Sequence, residues 1–146
     1  MEETFDFGSA FDTKAAAERG FEFQLSDMHG RPAPIWIRVL GADSDQYHST
    51  LRAQDRKRVD KLARGRRNAI PSIEELLDDT IERLAAVTIA WRTKEGVSVK
   101  MPDGQPFPAF SKQAAKDIYT RYAEIREQVD RAVMERANFL PGSEKS

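Results

Sequence analysis

The side chains able to do chemistry are few and scattered. Two histidines occur, His29 in a turn-forming stretch and His48 close to Asp45 and Ser49. An acid, a base and a hydroxyl in that order suggest a nucleophilic dyad, but a lone histidine near a helix start reads better as a surface residue. No HExxH and no acidic-histidine cluster at ligand spacing is present. Glu74-Glu75 and Asp78-Asp79 could pair as metal carboxylates. They fall in the first two turns of a helix, where the macrodipole favours acids anyway, so the structural reading is preferred. Gly65-Arg66-Arg67 lacks the preceding strand and the lysine-threonine that a phosphate cradle needs. Cysteine is absent, which removes disulfides, thiolate metal sites and cysteine nucleophiles. These residues predict a binding protein rather than an enzyme, with no cofactor and no metal.

One charged grouping carries more weight. Eight bases (Arg52, Arg56, Lys57, Arg58, Lys61, Arg64, Arg66, Arg67) and two acids lie between Arg52 and Arg67. The local balance is +6, which leaves −7 for the rest of a chain whose net charge is −1. Such density can serve nucleic acid. No recognition-helix or RNP-type pattern accompanies it, so a solvated face or a patch meeting an acidic protein surface is favoured. The acidic remainder of the same chain could supply that surface, which would give a homo-oligomer.

The elements that must hold these groups follow from periodicity. With 146 residues, 40% hydrophobic and 32% charged, the chain suits a single domain of about residues 21–140. Residues 1–20 read as a weakly ordered arm in which Asp12 caps a short helix and Phe5, Phe7 and Phe11 offer docking points; residues 141–146 read as a flexible tail. GFEFQLSD and IWIRVLG alternate in period two and predict one antiparallel strand pair from about 21 to 40. Asp43 and Ser44 cap a helix carrying the basic cluster, with Tyr47, Leu51, Val59 and Leu62 near one face and Gly65 at its end. Ser72 and Glu75 have capping-box spacing, and Ile73, Leu76, Leu77, Ile81, Leu84, Val87, Thr88 and Trp91 recur at threes and fours, predicting a helix at the centre of the core. Residues 96–110 predict a small hairpin or extended loop. Ser111 then caps a last helical region whose seam is Ile118, Tyr122, Ile125, Val129 and Val133. The predicted class is α+β, mainly α, with three main helices.

A long last helix carries more apolar seam than a small domain readily covers, so part of it is expected to await a partner. The candidate partner-binding residues are Trp91, Phe107, Phe110, Tyr119, Tyr122, Ile125, Val129 and Phe139; core is the default place for most of the aromatic ones, and those on the last helix differ because of that surplus seam. No run of eighteen apolar residues exists, which predicts no membrane span, and the acidic N-terminal stretch without an apolar core predicts a cytoplasmic protein.

The order of short motifs resembles a known family. Gly41-Ala42-Asp43-Ser44 precedes the basic helix, and Leu84-Ala85-Ala86-Val87-Thr88-Ile89-Ala90-Trp91 closes the next one. Phe110-Ser111, Ala114-Ala115-Lys116-Asp117-Ile118-Tyr119, Ile125-Arg126-Glu127-Gln128-Val129-Asp130 and Arg136-Ala137-Asn138-Phe139-Leu140 then follow in turn. The series, spanning about residues 21–140, looks like the tail assembly chaperones of long-tailed bacteriophages and prophages. That resemblance implies a non-enzymatic protein of the infected host cytoplasm that binds the tape measure protein, helps recruit tail tube subunits, and is absent from the mature virion. Two other roles stay open: a structural tail or head–tail completion protein retained in the virion, and a small nucleic-acid-binding protein using residues 52–67. Relatives often place a proline between the tyrosine and the Ile-Arg-Glu-Gln phrase. This chain reads Tyr119-Thr-Arg-Tyr-Ala-Glu-Ile there, so no proline kink is signalled, and both a bend and an extension from the body stay open for so long a helix.

Overall fold

The computed structural model describes residues 2–65 and 70–140. Arg66 and Arg67 of the basic cluster, and the tail at 141–146, lie outside the described residues.

Local capping chemistry places most of the helix starts. α1 (Phe7–Phe11) and α2 (Thr13–Arg19) begin where the carboxylates of Asp6 and Asp12 accept from the Ser9 and Ala15 amides. Gly20, at φ 84°, turns the chain into β1 (Phe21–Ser26), and β2 (Pro32–Val39) returns beside it. Ser44 caps α3 (Asp45–Ala63), and Gly65 follows its end in the left-handed region. Ser72 caps α4 (Ile73–Val87) by accepting from the Glu75 amide at 3.1 Å; the Glu75 side chain turns instead toward Lys61, 3.9 Å away. Ser111 caps α5 (Lys112–Arg121). α6 (Ala123–Met134) and a 3-10 turn (Arg136–Phe139) complete the chain.

The element count differs from three helices and one strand pair in two places. The helix expected to reach Trp91 stops at Val87, and Thr88–Thr93 forms β3, a third antiparallel strand on the free edge of β2. The order is β1-β2-β3, with Phe23 opposite Ile37 and Ile37 opposite Trp91. Spacing at threes and fours could not find this change, because Thr88 and Trp91 extend the helical seam, and a register shift between Arg38 and Val39 lets both face inward from the strand as well. The unpaired edge of β2 decided it.

The last helical region also breaks, at Tyr122 (φ −110°, ψ 93°), into α5 and α6. Neither proline nor glycine causes the break. The Arg126 guanidinium reaches back to the Tyr119 carbonyl at 2.7 Å, satisfying an acceptor that an unbroken helix would have paired internally. The described residues thus hold six helices and one three-stranded sheet, about 53% helical. The mainly helical α/β class stands, with more elements than three helices and one strand pair.

Apolar faces from every layer converge. Ile37 and Val39 of β2, Leu84 and Val87 of α4, Tyr119 of α5, and Val129 and Val133 of α6 are each closed from solvent. The other face of the sheet is polar: Arg92 stacks over Trp36 at 4.3 Å and grips Glu22 with two nitrogens. α4 lies between α3 and α5, while α3 packs chiefly on α4. That α3–α4 contact is largely polar. Buried Gln54 donates to the Asp79 carbonyl at 2.8 Å and accepts from Arg83 at 2.6 Å, and Arg58 meets the Asp79 carboxylate at 2.7 Å.

Candidate functional site

The motif phrases quoted above meet in space. The Leu40 amide donates to Val87, the Gly41 amide to Ala17, and the Ala42 amide to Val133, so one short turn joins α4, α2 and α6. Asp43 receives two hydrogen bonds from Arg136, at 2.7 and 3.0 Å, and Ser44 caps α3. A side chain at Gly41 would sit 2.8 Å from the Ala17 Cβ and 3.0 Å from the Phe139 ring, so glycine is required for the approach. Arg136 holds Asp43 below its ordinary carboxylate pKa, against an opposing desolvation effect. The two phrases around Gly41 and Arg136 are therefore a structural junction, and a cleft of about 540 Å³ beside it is lined mainly by apolar groups of α1, α2 and the 3-10 turn.

The eight aromatic and aliphatic candidates all lie in the core or pack against it. Tyr119, Val129 and Phe139 are buried, and Trp91, Phe107, Phe110, Tyr122 and Ile125 are half-buried and packed against the core. Trp91 holds the 96–110 hairpin down: its indole donates to the Pro108 carbonyl at 2.9 Å, and Phe107 and Phe110 each lie 5.2 Å from its ring. The hairpin itself closes through Phe107 to Val99 and Met101 to Gln105. Breaking the last helix lets both halves turn their seams inward, so this seam is covered by the protein itself.

Exposed apolar surface lies elsewhere. Ile73, Leu76 and Leu77, expected at the core, project beyond it at 86%, 45% and 39% exposure. Only the second half of α4, at Ile81, Leu84, Ala85 and Val87, is buried. Leu62 on α3 and Ile70 before α4 are also exposed, by 62% and 87%. The first half of α4 thus overhangs the core, and its apolar stripe runs off the core's end. Periodicity marked the stripe but could not say where the covering layers stop.

No family profile matches the chain, and neither a curated protein nor a solved structure matches it.

The basic cluster divides into paired and unpaired groups. Arg58 and Lys61 face α4 and meet Asp79 and Glu75. Arg52, Arg56, Lys57 and Arg64 are exposed and form no ion pair among the described residues. Those residues also group no histidines and acids that could hold a metal, and none of their helices is long and apolar enough to cross a membrane. His29 sits in the β1–β2 turn, its amide bonded to Asp27. His48 packs edge-on against Tyr47 in the first turn of α3.

Proposed function

We propose that this protein is a tail assembly chaperone that binds the tape measure protein of a long-tailed phage and helps recruit tail tube subunits, acting in the host cytoplasm and leaving before the virion is complete. The exposed apolar strip of Ile73, Leu76 and Leu77 on the overhanging start of α4, with Ile70 just before it and Leu62 near the end of α3 also exposed, is the observation that carries the reading. A long amphipathic client needs an apolar surface to cover its seam and surrounding charge to keep the complex soluble. The strip offers the first, and Glu74 and Asp78 beside it offer the second. Together with the motif order, it favours a helical client over a small substrate.

Co-expression with the long helical protein of the neighbouring reading frame tests this. The wild type is expected to give a soluble complex, and I73D/L77D to weaken it about tenfold or more, since a charge would be buried at the contact. Both residues are exposed, so circular dichroism of the variant should match the wild type. Failure of the wild type to form a complex would remove the reading. Mass spectrometry of purified particles should not find the protein; finding it would assign a structural role in the tail.

A further inference from the structure

We infer that the acidic, aromatic N-terminal segment of one copy docks on the basic outer face of α3 of a second copy. The segment is unusual on both counts. Between Glu2 and Asp12 it carries four acids and no base. Phe5, Phe7 and Phe11 are 71%, 71% and 61% exposed and pack on one another, with the Phe7 and Phe11 rings 4.9 Å apart. The three phenylalanines form an exposed aromatic knob, with Phe11 at the rim of the cleft beside α2 and the 3-10 turn.

The complementary surface lies on α3. Gln54, Arg58 and Lys61 point to α4, so at about 100° per residue Arg52, Arg56 and Val59 point away from it. Arg52 and Arg56 are exposed, and Val59 is 62% exposed. Guanidinium groups on such a face answer both features of the knob: they pair with its carboxylates and stack on its rings, while their stems and Val59 supply apolar contact.

The chain does not make this contact with itself. Residues 8–12 line the cleft beside the 3-10 turn, and α2, which follows the segment, is held at the first turn of α3, where Lys14 meets Asp45 at 3.1 Å and Glu18 accepts from the Asp45 amide at 3.3 Å. Val59 lies about 20 Å further along the helix axis. The contact therefore forms between copies. Its two surfaces differ, so each copy offers one knob and one face, and association runs head to tail into a ring or an open chain. The inference is independent of the client reading, because the client strip lies on the overhang, chiefly on α4.

Sedimentation velocity of the full chain, from micromolar to sub-millimolar concentration at low and high salt, provides the test. The wild type should associate with rising concentration, about tenfold more weakly in high salt, where exposed charges are screened. F5S/F7S/F11S and R52E/R56E should each be monomeric, with unchanged circular dichroism and thermal midpoint. An equimolar mixture of the two should give a heterodimer and nothing larger, because one working knob and one working face remain. A wild type that stays monomeric throughout overturns the inference and leaves the face to another occupant. So does a mixture that forms no dimer. Duplex DNA binding that R52E/R56E abolishes, without self-association of the wild type, also overturns it and assigns the face to a polyanion.

Discussion

The Tyr119 hydroxyl lies in the closed core, 2.7 Å from Thr88 Oγ1. Thr88 donates its own proton to the Leu84 carbonyl at 2.8 Å, so Tyr119 is the donor between the two hydroxyls. Burial pushes its pKa far above the ordinary phenol value, and it stays neutral. Tyr119→Phe should cost about 1 kcal/mol in urea unfolding, the net worth of one hydrogen bond. Thr88→Val should cost about 2 kcal/mol, since it strands the tyrosine hydroxyl in an apolar site. Asp43 gives a pH signature. Its folded pKa lies below the unfolded value of about 3.9, so its contribution is complete above that pH and disappears as pH falls through the folded value. The difference in urea midpoint between wild type and Asp43→Asn should therefore be constant near neutrality and shrink below about pH 4. A difference that grows on acidification would refute this.

At the level of elements, the transitions that carry no loop are held by long cations. α4 passes directly into β3, and Lys112 Nζ donates to the carbonyls of Ala85, Ala86 and Thr88 at 3.1, 3.0 and 2.6 Å. This closes the end of α4 from the start of α5, where a positive charge also suits the helix C-terminus. Lys112→Met keeps the stem and removes the donor, and should lower stability by about 2 kcal/mol in chemical denaturation. Arg126 acts likewise at the α5–α6 break. The break is produced without proline, by burial of both seams, with arginine meeting the freed carbonyl.

Across the whole molecule, stability is unevenly distributed. The sheet, α5, α6 and the second half of α4 share one apolar core, whereas α3 is joined to α4 largely by Gln54, Arg58, Asp79 and Arg83. Hydrogen exchange should release the amides of the distal half of α3 well before those around Ile37 and Val129. Equal protection in both regions would show that the overhang is as firmly held as the core. The surfaces proposed for the client and for a second copy lie on this less anchored hairpin, where docking could order it.

The chain's local chemistry was readable without the fold. Ser44, Ser72 and Ser111 mark helix starts because a hydroxyl satisfies an amide next to it in sequence, and period two marked β1 and β2 for the same local reason. What tertiary structure alone decided was which apolar residues are covered. Val129 and Ile73 look alike in a helical pattern, yet one is closed from solvent and the other is 86% exposed, because layers from distant parts of the chain reach the first and stop short of the second. The same long-range pairing made Thr88–Thr93 a strand, since β2 had a free edge that no window of sequence contains. The exposed apolar surface lies on the start of α4 rather than on the last helical seam.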